Sequence, residues 1–167
     1  MAELEPRIVD ALRDVYDPCC QEKGISVVDM GLVRSASVTA DGNARVELLL
    51  TSGWCPFAAR VVGDVRERVE NVTGLVGAEI EIVWDEPWTT DRISEKGREA
   101  LKSSGFAPPP TGKMPARGNL IQLLPVAECP YCGSRKTLME NAFGPTLCRA
   151  IYYCRDCRQP FEQFKQV

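Results

Sequence analysis

The sequence predicts an α+β protein in two parts. The first is a small three-stranded α/β sandwich and the second a small β-rich ribbon built on four cysteines. Three observations carry the expectation. Apolar residues recur at helical and then at alternating spacing through residues 1–104. A stretch with five prolines and three glycines follows at 105–125. Two Cys-x-x-Cys knuckles, 21 residues apart, then close the chain. The expected organisation is an α/β domain at 1–104, a stiff extended linker at 105–126 and a metal ribbon at 127–167.

Each element has its own signal. Leu4, Ile8, Ala11, Leu12 and Val15 share one face of a first helix over 3–16. Residues 35–39 and 44–50 alternate as strands around Asp41-Gly42-Asn43, a hairpin turn. Val61, Val62, Val65, Val69 and Val72 line one side of a helix over 56–72. A third strand over 78–84 places Ile80, Ile82 and Trp84 on one side, and a polar helix over 91–104 ends the domain. In the tail, Tyr152, Tyr153, Phe161 and Phe164 supply apolar cover for a module too small to fold on its own core.

Eight cysteines and no histidine in 167 residues narrow the chemistry. Without imidazole there is no Ser–His–Asp triad, no Cys–His nucleophile pair, no His-ligated catalytic zinc and no proximal-His haem. The usual neutral-pH general base is missing as well. No phosphate-cradling glycine loop or dinucleotide fingerprint occurs, and Asp85, Glu86 and Asp91 lie in a Pro-Trp-rich loop that reads as a solvated acidic turn. The chain is expected not to be an enzyme. Thiolate, the soft ligand for zinc, copper(I) and iron–sulfur clusters, is what remains abundant.

The net charge of −3 conceals an asymmetry: residues 1–107 carry 12 basic and 19 acidic side chains, residues 108–167 carry 8 and 4. The overall acidity and the lack of a concentrated basic run argue against nucleic acid as a partner. No run is apolar enough to span a bilayer, and the acidic first residues are unlike a secretory signal. The expectation is therefore cytoplasmic, with no membrane partner, where cysteines serve metals or reactivity rather than disulfides.

Cys129, Cys132, Cys154 and Cys157 form the knuckles, and two such turns supply the tetrahedral sulfur cage of structural zinc. The same knuckles accept a single iron. Cys148, between them, is surplus to a four-sulfur cage and is either a small buried hydrophobe or an additional ligand. Cys55 precedes Pro56, and proline is favoured at the first helical position, which puts Cys55 at or beside an N-cap. Unpaired amides and the helix dipole favour thiolate there. A reactive or metal-binding sulfur and a cysteine that merely packs are both open readings. Cys19 and Cys20 follow Asp17-Pro18 in a polar loop. If that loop folds over the start of the second helix, one of them can join Cys55 around an iron–sulfur unit. Asp29 is a carboxylate inside an apolar run, either a turn cap for Gly31 or a site residue.

The order Asp17-Pro18, then Ile25-Ser26-Val27-Val28-Asp29-Met30-Gly31-Leu32-Val33, then Thr51-Ser52-Gly53-Trp54-Cys55-Pro56 resembles the SufT-like family of iron–sulfur assembly and carrier domains. Trp88-Thr89-Thr90-Asp91-Arg92-Ile93-Ser94, Phe143-Gly144-Pro145-Thr146-Leu147-Cys148-Arg149-Ala150 and the ending Pro160-Phe161-Glu162-Gln163-Phe164-Lys165 look like the PaaD family of the bacterial phenylacetyl-CoA epoxidase system. The resemblance implies an iron–sulfur assembly or delivery factor that matures a multicomponent monooxygenase. Its reductase component needs a [2Fe–2S] cluster and its oxygenase a di-iron centre. The implied partners are those components and the cluster-assembly machinery. Cys55 matches the family's cysteine before the helix, Asp29 its acid, the four knuckle cysteines its metal ligands and Cys148 an additional tail cysteine. The chain departs where the family has Asp-Pro-Glu: here Asp17-Pro18 is followed by Cys19 and Cys20, sulfur in place of an acid.

Three classes of function are kept apart. The first is cluster delivery with Cys55 as the transfer thiol, where a cluster bridged by two Cys55 thiolates requires a homodimer. The second is a non-catalytic structural subunit of the oxygenase. The third is a nucleic-acid-binding zinc ribbon, suggested by Tyr152, Tyr153 and Arg155 in the basic tail.

Overall fold

The computed structural model describes residues 5–109 and 126–165. They fall into two compact units, Met1–Trp88 with Arg92–Gly97, and Thr89–Asp91 with Arg98–Val167.

The first unit opens with α1 (Pro6–Leu12), which buries Ile8 and Leu12. A proline in the first turn suits this start, where its missing N–H is no loss. The helix is shorter than its apolar spacing suggests. The Val15 N–H bonds back to the Leu12 carbonyl (3.1 Å), a tightened turn, and Tyr16 then pairs as an extended residue with Ser26. Leu4, expected on the same face, lies outside the described residues.

β1 (Val33–Val38) and β2 (Ala44–Leu48) pair antiparallel, with a register shift between Val33 and Ser35. α2 (Ala58–Glu70) crosses over to β3 (Ala78–Ile82), which pairs parallel with β2, Leu48 opposite Ile82. The sheet order is β1-β2-β3. Val61, Val65 and Val69, spaced one turn apart, are the buried face of α2, and Ala44, Val46 and Leu48 are buried on β2. Arg45, Glu47, Glu79 and Glu81 occupy the alternate positions of β2 and β3, and an Arg45–Glu81 ion pair (3.2 Å) links them.

Trp84 departs from expectation. The strand ends at Ile82, so alternation no longer governs the residue, and its indole is exposed. Asp85 and Glu86 are not a free acidic turn either. Arg34 grips Asp85 with two hydrogen bonds (2.9 and 2.7 Å), and Arg92 holds Glu86 (3.1 Å).

A strap over residues 88–97 closes on the 29–31 loop. The Trp88 indole N–H donates to the Met30 carbonyl (2.9 Å), the Arg92 Nε–H to the Gly31 carbonyl (3.1 Å) and the Ser94 N–H to the Asp29 carbonyl (2.9 Å). The expected last helix, 91–104, is a 3-10 turn at Thr90–Arg92 followed by α3 (Glu95–Ser103). It starts where it does because the Ser94 hydroxyl accepts the Gly97 N–H (3.0 Å), an N-cap bond.

In the second unit, β4 (Phe106–Ala107), β5 (Thr137–Asn141), β6 (Arg149–Cys154) and β7 (Pro160–Phe164) form a sheet ordered β4-β7-β6-β5. β4 pairs parallel with β7, and the other neighbours are antiparallel. The first residues of the expected linker are thus strand. Phe106 is buried, 6.0 Å from the Phe164 ring, with the Arg149 guanidinium 5.1 Å from its centroid. Most of the remaining linker, 110–125, lies outside the described residues. Tyr152 stacks on Phe161 at 5.6 Å in a core that includes Ala107, Ala127, Ala150, Cys129 and Cys154. Tyr153, expected with them, is only half-buried.

No helix among the described residues is long and apolar enough to cross a membrane.

Gly31 has a positive φ of 68°, and a Cβ there would lie 2.3 Å from the Arg92 carbonyl oxygen. Gly31→Ala is expected to lower stability by about 2 kcal/mol or more, read as a lower denaturant midpoint, because left-handed strain and a backbone clash add.

Candidate functional site

The ribbon brings four sulfurs together. Cys129 and Cys157 Sγ are 3.6 Å apart, as are Cys132 and Cys154 Sγ, and all four lie within 4.8 Å of one another. A tetrahedral centre with metal–sulfur bonds of about 2.3 Å separates its sulfurs by about 3.8 Å, so the donor set fits a metal ion. Among the described residues this is the only group of three or more Cys, Asp or Glu side chains with ligand atoms so close.

The two knuckles share one local design. The Gly133 N–H donates to the Cys129 carbonyl and the Arg158 N–H to the Cys154 carbonyl, both at 2.9 Å. Both donors sit in the left-handed region, Gly133 at φ 71° and Arg158 at φ 59°. Asp156 latches one knuckle to the other, accepting from the Ser134 hydroxyl (2.7 Å) and the Lys136 ammonium (3.3 Å).

The thiols are not equivalent. Backbone N–H groups of Cys157 and Asp156 aimed at Cys154 bring its thiol down to about 7. Burial and the neighbouring Cys129 sulfur push Cys157 up to about 12. Four crowded sulfurs cannot all ionise unaided, so a bound cation displaces protons and its affinity rises with pH.

Cys148 is outside this group. Its sulfur lies 3.1 Å from the Thr146 hydroxyl and its carbonyl accepts the Lys165 N–H (2.9 Å).

Cys55 is half-buried on the loop leaving β2. It is not the N-cap: that residue is Phe57, and the Cys55 carbonyl accepts the Ala58 N–H (3.2 Å) in a tight turn before the helix. The Pro56–Phe57 turn displaces the helix start, so Cys55 stands two residues before the N-cap.

The 17–24 loop does run along the start of α2, where Arg60 donates to Gln21 Oε1 (3.1 Å). Asp17 organises it, accepting the Cys19 N–H on Oδ1 and the Cys20 N–H on its carbonyl, both at 2.8 Å. Cys20 is 1% exposed and Cys19 half-buried, so the vicinal pair diverges. Together with Cys55 they do not make a three-sulfur group.

Asp29 is 3% exposed. It accepts from the Ser26 hydroxyl (2.9 Å) on Oδ2 and the Ser94 hydroxyl (2.9 Å) on Oδ1, with Lys96 Nζ at 3.5 Å and Arg13 Nη1 at 4.0 Å. Burial pushes its carboxyl up, but the two hydroxyls and the Lys96 ammonium outweigh that and hold it below the usual range. Its partners Ser94 and Lys96 carried no signal in the sequence, because they lie 65 and 67 residues away.

A cysteine on the βα loop of a small mixed sheet stands in the same chain as a four-sulfur group that fits a metal ion. The iron–sulfur cluster assembly protein family model matches residues 5–82, and the PaaD zinc beta ribbon domain model matches residues 116–165. The chain belongs to this family, the PaaD-type iron–sulfur assembly proteins.

It is 31% identical over 143 residues to an Escherichia coli (strain K12) protein named provisionally as a subunit of 1,2-phenylacetyl-CoA epoxidase, covering 86% of this chain and 82% of that one. It is 39% identical over 104 residues to an Fe-S protein maturation auxiliary factor of Porphyromonas gingivalis, covering 62% of this chain and 93% of the relative. A solved domain of unknown function from Bacillus anthracis superposes with a TM-score of 0.53 at 33% identity, covering 58% of this chain and 90% of that one.

Two outcomes are expected. Arg158→Gly removes left-handed strain and raises ribbon stability by about 1 kcal/mol, seen in the thermal midpoint, whereas Gly133→Ala lowers it. Asp29→Asn costs about 1–3 kcal/mol near neutral pH. A depressed carboxyl gives stability that is present above the ordinary carboxylate range and is lost as pH falls through its folded value. The acid limb of unfolding is therefore shallower in Asp29→Asn than in the parent.

Proposed function

We propose that this chain is a non-catalytic iron–sulfur assembly and delivery factor that matures phenylacetyl-CoA epoxidase or a related multicomponent monooxygenase in the cytoplasm. The observation that carries the reading is the joined pair. An assembly domain and a four-cysteine ribbon stand together in this chain, and its match to the Escherichia coli epoxidase relative runs over most of both lengths.

Cys55 is the transfer thiol. Cluster delivery is ligand exchange: the donor thiolate leaves iron as an acceptor cysteine takes its place, so the donor must be reachable and must hold its cargo without trapping it. A half-buried cysteine on a loop at the end of β2 meets that need better than the buried Cys20. The four ribbon cysteines hold zinc, and the ion gives this small module much of its folding energy. Asp29 is a positioning residue that ties the strap to the loop before β1.

A second reading, a stable non-catalytic component of the oxygenase, is favoured because that relative is named as part of the epoxidase itself. Co-purification with the oxygenase at fixed stoichiometry supports it, whereas transient association supports delivery.

Anaerobic reconstitution followed by iron, sulfide and zinc quantification tests the main reading. The parent chain is expected to take up iron and sulfide beside about one zinc per chain. Cys55→Ser is expected to keep the zinc, lose the iron and sulfide and fail to activate an apo client. Cys129→Ser is expected to lose the zinc. Full client activation by Cys55→Ser would remove the transfer role from this thiol.

A further inference from the structure

β2 and β3 are parallel, so their carboxyl ends open on the same edge of the first unit's sheet, where antiparallel β1 begins with Val33 opposite Leu48. The Cys55 loop leaves the end of β2, and residues 83–86 leave the end of β3. This edge carries two exposed indoles, Trp54 at 84% and Trp84 at 63%. A Cβ on Gly53 would stand 3.9 Å from the Trp84 ring, so the second indole reaches the loop that bears the first and Cys55. The other exposed large apolar side chains described in this unit, Tyr16, Val38 and Val76, include no indole.

A solvated indole contributes little to folding, while tryptophan is the side chain most enriched among residues that dominate binding energy. Carboxylates stand beside the pair. Asp85 and Glu86 directly follow Trp84 and, with Glu47, share the Arg34 and Arg92 guanidinium groups, three carboxylates to two cations. The whole unit carries 17 acidic and 10 basic side chains. An indole face in a negative field attracts a guanidinium or ammonium group, by cation–π contact at short range and by steering at long range. An acidic partner would instead be repelled.

We infer that this edge is the docking surface for a client protein that presents arginine or lysine side chains around its cluster-accepting cysteines, with Trp54 and Trp84 as the anchors. The inference rests on the delivery role proposed above and adds to it the surface and the chemistry of the partner.

The test is calorimetric titration under anaerobic conditions of the full, metal-loaded chain with the apo form of the [2Fe–2S] reductase component of the epoxidase system, at low and high salt. The parent chain is expected to bind and to bind more weakly as salt rises. Trp54→Ser and Trp84→Ser are each expected to weaken binding about tenfold or more. Their exposure makes both variants safe for the fold, and circular dichroism checks that. Val76→Ser is the control. It removes a side chain that is 78% exposed beside the β1–β2 turn, at the opposite edge, and is expected to leave affinity unchanged. If both tryptophan variants bind as the parent does, or if salt has no effect, the docking inference is overturned while delivery stands. If the parent chain does not bind the reductase component, that client falls and the docking inference falls with it.

Discussion

A buried anion must be matched, and both units are arranged around that requirement. In the first unit the anion is the Asp29 carboxylate, almost wholly withdrawn from water. An isolated carboxylate in such a place would take up a proton. Two serine hydroxyls and the Lys96 ammonium keep it charged instead. Because Ser26 belongs to the loop before β1 while Ser94 and Lys96 belong to the strap, satisfying the charge also closes the strap on the loop. Gly31 and Gly97 let the two backbones approach. A Cβ at Gly97 would come within 2.6 Å of the Asp29 carbonyl oxygen, so two missing side chains are as much a part of the closure as the hydrogen bonds.

The second unit meets the same requirement with opposite means. Cys129 and Cys154 of its four-sulfur group are buried, and the backbone N–H groups at the second knuckle already favour charge on Cys154. Hydroxyls do not flank the cage as they flank Asp29. Lys136 is engaged by Asp156 at its rim. The four-sulfur group fits a metal cation, which would supply the remaining compensation.

Much of this was legible from residue types and intervals. Two Cys-x-x-Cys turns 21 residues apart announce the four-sulfur group that the fold brings together, and the valine spacing of α2 states its buried face directly. What escaped was set by contacts distant in sequence or by the end of a period. Trp84 continues the alternation of β3 as text but lies beyond its last paired residue. Phe106 stands in proline-rich text yet forms strand, because its ring finds Phe164 and Arg149 more than forty residues away. Cys19 and Cys20 are chemically identical neighbours, and only the turn made by Asp17 decides which of them is buried. Arg158 holds a left-handed position that its residue type does not announce, because its counterpart Gly133 carries the signal in the other knuckle.

The division of the sulfurs follows from where the backbone is held. The first cysteine of each knuckle is held at both its amide and its carbonyl, Cys129 by Ser134 and Gly133 and Cys154 by Gln159 and Arg158, and such rigidity suits a bound ion. Cys55 sits on the loop between the end of β2 and the Phe57 N-cap, with its carbonyl accepting the Ala58 N–H. The parallel β2–β3 crossover brings the ends of both strands, and with them the loop that bears this cysteine, to one edge of the sheet. The absence of histidine from the sequence fits the same division, since neither a permanent all-sulfur cage nor a thiolate exchange step calls for imidazole.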